Sequence, residues 1–221
     1  VILTGAGRGF CAGADKSLLD TIASAGRDEN AREGARAGEI AANYAQPFSY
    51  PLATHKPLIG AINGAAIGLG FVHTLYCDIR IASEQARFGT AFATLGLVAE
   101  HGVSWLLPRI AGMANAFDLL FSARIVGADE ARAMGIVSRV VPHERLLDEA
   151  KSYVQGLAER SSPRAMASIR RLVWDAQFQD LATATQAANA AMQQSFGNPD
   201  FKEGLAALAE KRPPKFAGLQ A

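Results

Sequence analysis

The sequence is short of cysteine, of histidine and of net charge. Its two cysteines, Cys11 and Cys77, cannot build a disulfide scaffold. They read as reduced thiols in a reducing compartment. Four scattered histidines and two distant cysteines supply no metal-ligand spacing, so no metal site is expected. An excess of one charge sign is missing too: 22 Lys and Arg stand against 21 Asp and Glu, a net +1. That balance excludes nucleic-acid or anionic-membrane binding by bulk charge, and it excludes an acidic disordered chain. There is no Gly-Lys-Ser/Thr after a glycine loop, and no secretory leader pattern. A cytoplasmic protein is the expectation. One uncharged run, Pro57 to Cys77, imitates a membrane span, with Gly60, Gly64 and Gly68 at the spacing of a helix-dimer motif. Pro57, Asn63, His73 and four glycines argue against a span. A buried strand, a glycine turn and a buried helix account for the same letters.

What is present is a chain of 221 residues, 49% hydrophobic. That length predicts one domain, or one plus a small appendage, with a full core. Val1-Ile2-Leu3 opens on an apolar run, so a leading segment is expected to precede it. Buried strands are expected at Val1–Thr4, Leu58–Ile62, Asp78–Ala82 and Ile136–Val141, with a short extended piece at Phe88-Gly89. Asp15 can cap a short helix reaching about Leu19. Residues 24–36 read as a mobile loop or frayed helix, and Glu39–Tyr50 as a helix ending before Pro51. Helices are further expected at Gly68–Tyr76, Gly102–Ile110, Ala114–Ser122, from Ala128, and at Glu144–Glu159, Pro163–Phe178, Leu181–Phe196 and Phe201–Arg212. In Leu181–Phe196, the residues Leu181, Ala184, Ala188, Ala191 and Phe196 form one small-residue face suited to close helix packing, within the chain or between subunits. Strand–helix alternation followed by helices argues an α/β fold with a helical C-terminal part.

Two glycine-rich strand-to-helix turns carry the functional signal. The first, Gly5-Ala6-Gly7-Arg8-Gly9, invites a dinucleotide reading, but Phe10 occupies the third glycine position of that fingerprint. The second is Asn63-Gly64-Ala65-Ala66-Ile67-Gly68-Leu69-Gly70. Gly68 and Gly70 would let another group approach the backbone closely. The alternative is tight helix–strand packing. Two such turns that converge can aim two N–H groups at one oxygen, which is how an oxyanion hole is built.

These residues resemble a known family. Gly9-Phe10-Cys11-Ala12-Gly13-Ala14-Asp15 is similar to its pattern x-F-(C/S/A)-A-G-x-D. The stretch from Lys56 to Gly70 resembles its KPVIAAINGxAxGGG, and Cys77-Asp78-Ile79-Arg80-Ile81-Ala82 follows at the family's spacing. The tail Glu203-Gly204 and Glu210-Lys211-Arg212-Pro213-Pro214-Lys215-Phe216 also matches. Together they resemble the crotonase superfamily of enoyl-CoA hydratases and isomerases. The resemblance implies a spiral of ββα units with a helical C-terminal oligomerisation region. It divides the chain into a crotonase core over 1–141, incomplete at its N-terminus, and a helical region over 142–221. It implies an acyl-CoA thioester substrate, coenzyme A present only as part of that substrate with no tightly bound cofactor, and a homo-oligomer, a trimer or dimer of trimers. Backbone N–H groups at Ala14 and Leu69 would hold the thioester oxygen. Ala12, Gly13, Gly68, Phe196 and Lys211 would contact CoA, Lys211 reaching CoA on the neighbouring subunit.

The sequence departs from the hydratases of that family at two positions. They use two glutamates, the first two residues after the GGG and the second four residues after the Phe of FGxPE. Here those places hold Val72 and Phe92. One carboxylate remains nearby: Glu100, in Leu97-Val98-Ala99-Glu100-His101-Gly102. Its place resembles that of an aspartate used by dienoyl-CoA isomerases and by a dehalogenase of the superfamily. A carboxylate in an apolar pocket, here Val72, Phe92, Val98 and Trp105, can shuttle a proton at neutral pH. The bland alternative is that Glu100 only caps the helix at Gly102. His101 is the second acid/base candidate, able to orient Glu100 or share its proton. His73 reads as a hydrogen-bonded core residue, and His55 and His143 as surface residues. The expected function is an acyl-CoA enzyme of hydratase/isomerase type; the alternative is a non-catalytic acyl-CoA-binding or assembly subunit.

Overall fold

The structure is a computed structural model and describes residues 1–25, 42–46 and 48–219. In chain order its elements are β1 (Ile2–Thr4), α1 (Lys16–Ala25), β2 (Ile59–Ile62), β3 (Ala65–Ile67), α2 (Leu69–Leu75), β4 (Ile79–Ser83), β5 (Arg87–Gly89), α3 (Val103–Ala111), α4 (Met113–Ser122), β6 (Val126–Gly127), α5 (Ala128–Ala133), β7 (Arg139–Val141), α6 (Leu146–Arg160), α7 (Pro163–Asp175), α8 (Leu181–Phe196) and α9 (Pro199–Glu210). The chain divides into two compact units. One holds Ile2–Ala53 and Leu58–Ala150; the other holds Lys151–Ala221 with Thr54–Pro57 and Val1.

The first unit is built on two sheets. One runs β1-β2-β4-β7, with every pair parallel. The other runs β3-β5-β6. Each repeat sends one strand to each sheet and then a helix: β2, β3 and α2, then β4, β5 and α3. This is the ββα unit that the resemblance implies. Parallel strands covered on both faces demand continuous apolar sequence, and every residue of β2 is buried. Gly60 sits there because a side chain would meet the Cys77 Sγ at 2.9 Å. The core gathers Ile59, Ile62, Phe71, Leu75, Ile81, Phe88, Leu106, Leu107, Leu119 and Ile136, all 2% exposed or less. The Asp78 carboxylate accepts the Leu58 N–H at 2.7 Å, tying the start of β2 to the end of the α2 turn.

The uncharged run from Pro57 to Cys77 is thus two strands and a seven-residue helix. Among the described residues no helix is long and apolar enough to cross a membrane. Neither Cys11 nor Cys77 is in a disulfide, and the Cys77 thiol donates to the His73 carbonyl at 3.4 Å.

Several elements differ from the sequence reading. β3 and β6 were not anticipated, since Ala-Ala-Ile and Val-Gly carry no strand alternation of their own. α1 runs on to Ala25, past the expected end near Leu19, while Asp15 accepts the Ser17 N–H at 2.8 Å at its start. Residues 26–36 of the expected loop lie outside the described residues. So do residues 39–41 and 47 of the helix expected over Glu39–Tyr50. Its described part holds a single 3₁₀ turn, Ala42–Tyr44, and a second begins at Tyr50. There the Ser49 hydroxyl bonds the Gln46 N–H and carbonyl, at 3.1 and 2.9 Å, which gives the backbone a turn in place of a helix. Phe48 between them takes a left-handed φ of 67°.

In the second unit, α7 begins at a Ser162 cap that accepts the Ala165 N–H, and α8 at an Asp180 cap that accepts the Thr183 N–H. Asp200, buried at the start of α9, accepts from Ser162 Oγ at 2.6 Å and Arg164 at 2.8 Å. Glu203 accepts from both terminal nitrogens of Arg212 and from the Lys215 N–H, clasping the tail onto α9. Leu181 and Phe196, on the expected face of α8, are 84% and 48% exposed in the single chain.

Candidate active site

The first glycine loop lies along β3. Phe10 and Cys11 N–H groups both donate to the Ala65 carbonyl, and the Ile67 N–H donates to the Cys11 carbonyl at 3.0 Å. Asn63 holds the loop from beneath: its side chain accepts the Gly5 N–H at 3.0 Å and donates to the Gly7 and Gly9 carbonyls. No signal in the sequence points to this role of the Asn63 side chain. Gly70, fully buried at the start of α2, faces the same loop; a Cβ there would stand 1.9 Å from the Cys11 carbonyl oxygen.

The two turns therefore converge. Gly68 takes φ 54° and its N–H donates to the Gly89 carbonyl, while Gly13 takes φ 111°. A Cβ on Gly68 would lie 3.9 Å from the Gly13 Cα, and one on Gly13 would lie 3.3 Å from the Ile67 carbonyl. Ala14 and Leu69 come next in each chain segment. Among the described residues neither of their backbone N–H groups donates a hydrogen bond within the chain. Ala12 and Ala14 are exposed, and Gly13, Gly68 and Leu69 half-buried.

Glu100 sits on a separate turn before α3. The N-cap of that helix is Gly102, and the Val103 N–H donates to the Glu100 carbonyl at 3.2 Å. Glu100 Oε1 lies 3.1 Å from His101 Nε2; the histidine side chain is 12% exposed and the carboxylate 39%. His101 has φ 55° and Gly102 φ 79°. A left-handed non-glycine residue costs of order 1–3 kcal/mol and persists only where its surroundings enforce it. Two contacts do so. The Tyr76 hydroxyl donates to the His101 carbonyl at 2.8 Å, and the Phe48 ring meets the imidazole edge-on at 4.4 Å. Phe48 also meets the ring of His73 at 5.5 Å. Burial lowers the His73 pKa below the usual imidazole value, and the charge His101 carries when protonated lowers it further. No local pattern in the sequence signalled Tyr76 or Phe48.

The remaining candidates are spread. Val72 is fully buried in α2 and Phe92 is 6% exposed, so no carboxylate occupies either position. Trp105 is half-buried under the Arg109 guanidinium, 4.0 Å from the ring centroid, and Val98 is 80% exposed. Phe196, beside Phe201 at 5.3 Å, and Lys211, the left-handed cap of α9, belong to the second unit. Among the described residues no three His, Cys, Asp or Glu side chains group as metal ligands.

The family profile for enoyl-CoA hydratase/isomerase matches residues 1–219. The chain belongs to the enoyl-CoA hydratase/isomerase family. Relatives of this family agree in sequence and in fold. The chain is 33% identical to the 1,2-epoxyphenylacetyl-CoA isomerase of Escherichia coli K12, covering 99% of this chain and 80% of that protein. The crystal structure of the enoyl-CoA hydratase from Bacillus anthracis superposes with a TM-score of 0.81 at 33% identity, over 99% of this chain and 81% of that one. An enoyl-CoA hydratase from Polaromonas sp. JS666 gives 0.83 at 29% identity, over 98% and 81%. The fold is that of the crotonases, an α/β spiral with a helical C-terminal region.

Proposed function

We propose that this family member stabilises a thioester enolate between the Ala14 and Leu69 N–H groups, with Glu100 as the acid/base. The observation that carries the reading is the convergence of the two glycine loops with those two donors left without an acceptor among the described residues. When a base removes the Cα proton of an acyl-CoA, the electron pair moves onto the thioester oxygen. Two preorganised N–H donors stabilise that charge, and losing one such donor typically costs about 3–4 kcal/mol of transition-state stabilisation. Glu100 would take the Cα proton and return it at Cγ, which shifts a double bond with no net change of atoms. Such a reaction needs one carboxylate. Two-residue hydration lacks its usual pair here, since Val72 and Phe92 hold those places.

His101 would orient the carboxylate through the 3.1 Å contact. Val72, Phe92, Val98 and Trp105 are proposed to border the acyl group. Ala12, Gly13 and Gly68, and on the resemblance alone Phe196 and Lys211, are proposed to meet coenzyme A, which enters only as part of the substrate. A homo-oligomer, a trimer or a dimer of trimers, is proposed on the resemblance, and the exposed Leu181 and Phe196 of α8 are consistent with self-association. A cytoplasmic location is proposed on the reduced cysteines.

The deciding experiment follows isomerisation and hydration of short and medium enoyl-CoAs by wild type and Glu100→Gln. Glu100→Gln is expected to lose turnover by about 10²–10⁴-fold with acyl-CoA binding retained. Equal turnover by the two proteins removes Glu100 from the mechanism. A second reading, an acyl-CoA-binding or assembly subunit, is favoured by the absent glutamate pair. It predicts thioester binding without turnover in the wild type.

A further inference from the structure

The turn that carries Glu100 is held in a conformation it would not choose alone. His101 and Gly102 are consecutive left-handed residues, with φ 55° and 79°. Left-handed backbone is natural for glycine but costly for histidine. The Tyr76 side chain is 4% exposed, and its hydroxyl donates to the His101 carbonyl at 2.8 Å. The same oxygen fills the space over Gly102: a Cβ there would stand 2.6 Å from it. The hydroxyl thus touches both residues of the turn. Burial raises the Tyr76 pKa, so the group remains a protonated donor at neutral pH.

The position of Tyr76 links this turn to the other half of the site. Tyr76 is the C-cap residue of α2, and Leu69 is the first residue of the same helix. That helix is fixed at its start, because the Gly68 N–H is bonded to Gly89 and Gly70 packs on the Cys11 carbonyl. One short, buried helix therefore sets both the Leu69 donor and, through the Tyr76 hydroxyl, the backbone that presents Glu100.

We infer that Tyr76 is a positioning residue: its hydroxyl, bonded to the His101 carbonyl, fixes the left-handed turn that places the Glu100 carboxylate relative to the Leu69 donor. The inference rests on the reading of Glu100 as acid/base. Tyr76→Phe keeps the buried ring and deletes only the hydroxyl. With a short-chain enoyl-CoA as probe, this variant is expected to lose kcat by about 10-fold or more while KM changes by less than about 2-fold. A small misplacement of a reacting group lowers the chemical step and leaves substrate binding largely alone.

A double-mutant cycle separates positioning from general destabilisation. If Tyr76 acts through Glu100, adding Tyr76→Phe to Glu100→Gln lowers kcat no further, because the group it positions is already gone. Multiplicative losses overturn the assignment. So does wild-type kcat in Tyr76→Phe while Glu100→Gln is inactive. Failure of Tyr76→Phe to fold would make the hydroxyl a folding element and equally overturn it. Should Glu100→Gln itself keep wild-type turnover, the underlying acid/base reading is what fails. Melting curves of all four proteins, with assays well below each midpoint, keep fold loss out of the comparison.

Discussion

Gly70→Ala tests whether the site is built by close backbone approach. The added Cβ would stand 1.9 Å from the Cys11 carbonyl oxygen, 2.8 Å from its carbon and 2.9 Å from the Cys11 Cβ. Contacts below 3.0 Å are not tolerated, so the first glycine loop must retreat by about 1 Å. No flexible side chain can yield in its place, because the obstacle is main chain. Overpacking of this kind costs about 1–3 kcal/mol. The Ile67 N–H···O=C Cys11 bond, worth about 1 kcal/mol, is strained or lost with it. Alanine recovers about 1 kcal/mol through its better helix propensity. The net expectation is a destabilisation of about 2 kcal/mol, or a fall in Tm of about 4–8 °C for a chain of this size. Retreat of the loop also carries Ala14 away from Leu69, so turnover should fall about 100-fold. The control is Gly204→Ala in α9, where a Cβ meets nothing within 4 Å. That substitution should stabilise by about 0.5–1 kcal/mol. Thermal melts of both variants decide the matter. A Gly70→Ala protein at least as stable as wild type, following the control in sign, would refute the reasoning.

Asn63→Ala removes three hydrogen bonds from a side chain buried between the two glycine turns, and it leaves the Gly5 N–H without its acceptor. A loss of about 2–3 kcal/mol is expected in urea unfolding, and a change below about 0.5 kcal/mol would show that Asn63 does not hold the loop. Glu203 supplies a pH test. The Arg212 guanidinium, and then the Lys215 N–H, hold its carboxyl down at about 2, against an ordinary value of 4.5. A depressed carboxyl stabilises the fold fully above its unfolded value and loses that contribution as pH falls toward the folded one. The Tm of the wild type should therefore decline between about pH 5 and pH 2 more steeply than that of Glu203→Gln, and parallel profiles would count against the clasp.

Much of the first unit is legible in its letters. Ile59–Ile62, bounded by Pro57 and Asn63-Gly64, is an apolar run of strand length and a fully buried parallel strand. Ile79–Ser83, which follows Cys77-Asp78, pairs parallel with it and is buried over Ile81, Ala82 and Ser83. The glycines at 68 and 70 announce close backbone approach, and any side chain at 70 would collide with main chain. β3 and β6 escaped the reading because three or two residues carry no period, and their strand character comes only from pairing with β5. The helix expected over Glu39–Tyr50 failed in its described part because Ser49 bonds Gln46 locally, and propensity alone does not weigh that competition.

The candidate site divides the same way. Glycine placement offers two strand-to-helix turns from local letters, and the resemblance to the crotonases singles out Ala14 and Leu69 on them. Glu100 is nominated by the resemblance too, from its place relative to a family aspartate and from the Val72 and Phe92 that stand where the family's hydratases carry glutamates. The role of Tyr76 has no local signature. It stands far from His101 in sequence, and only the packing of α2 against the turn before α3 puts its hydroxyl 2.8 Å from that carbonyl. Composition and apolar runs by themselves determined the α/β class, because it follows from short-range sterics and burial, while glycine spacing offered two loops that could converge. Which groups grip one another across those loops was decided by tertiary structure alone, because a hydrogen bond between distant residues depends on where the whole chain folds.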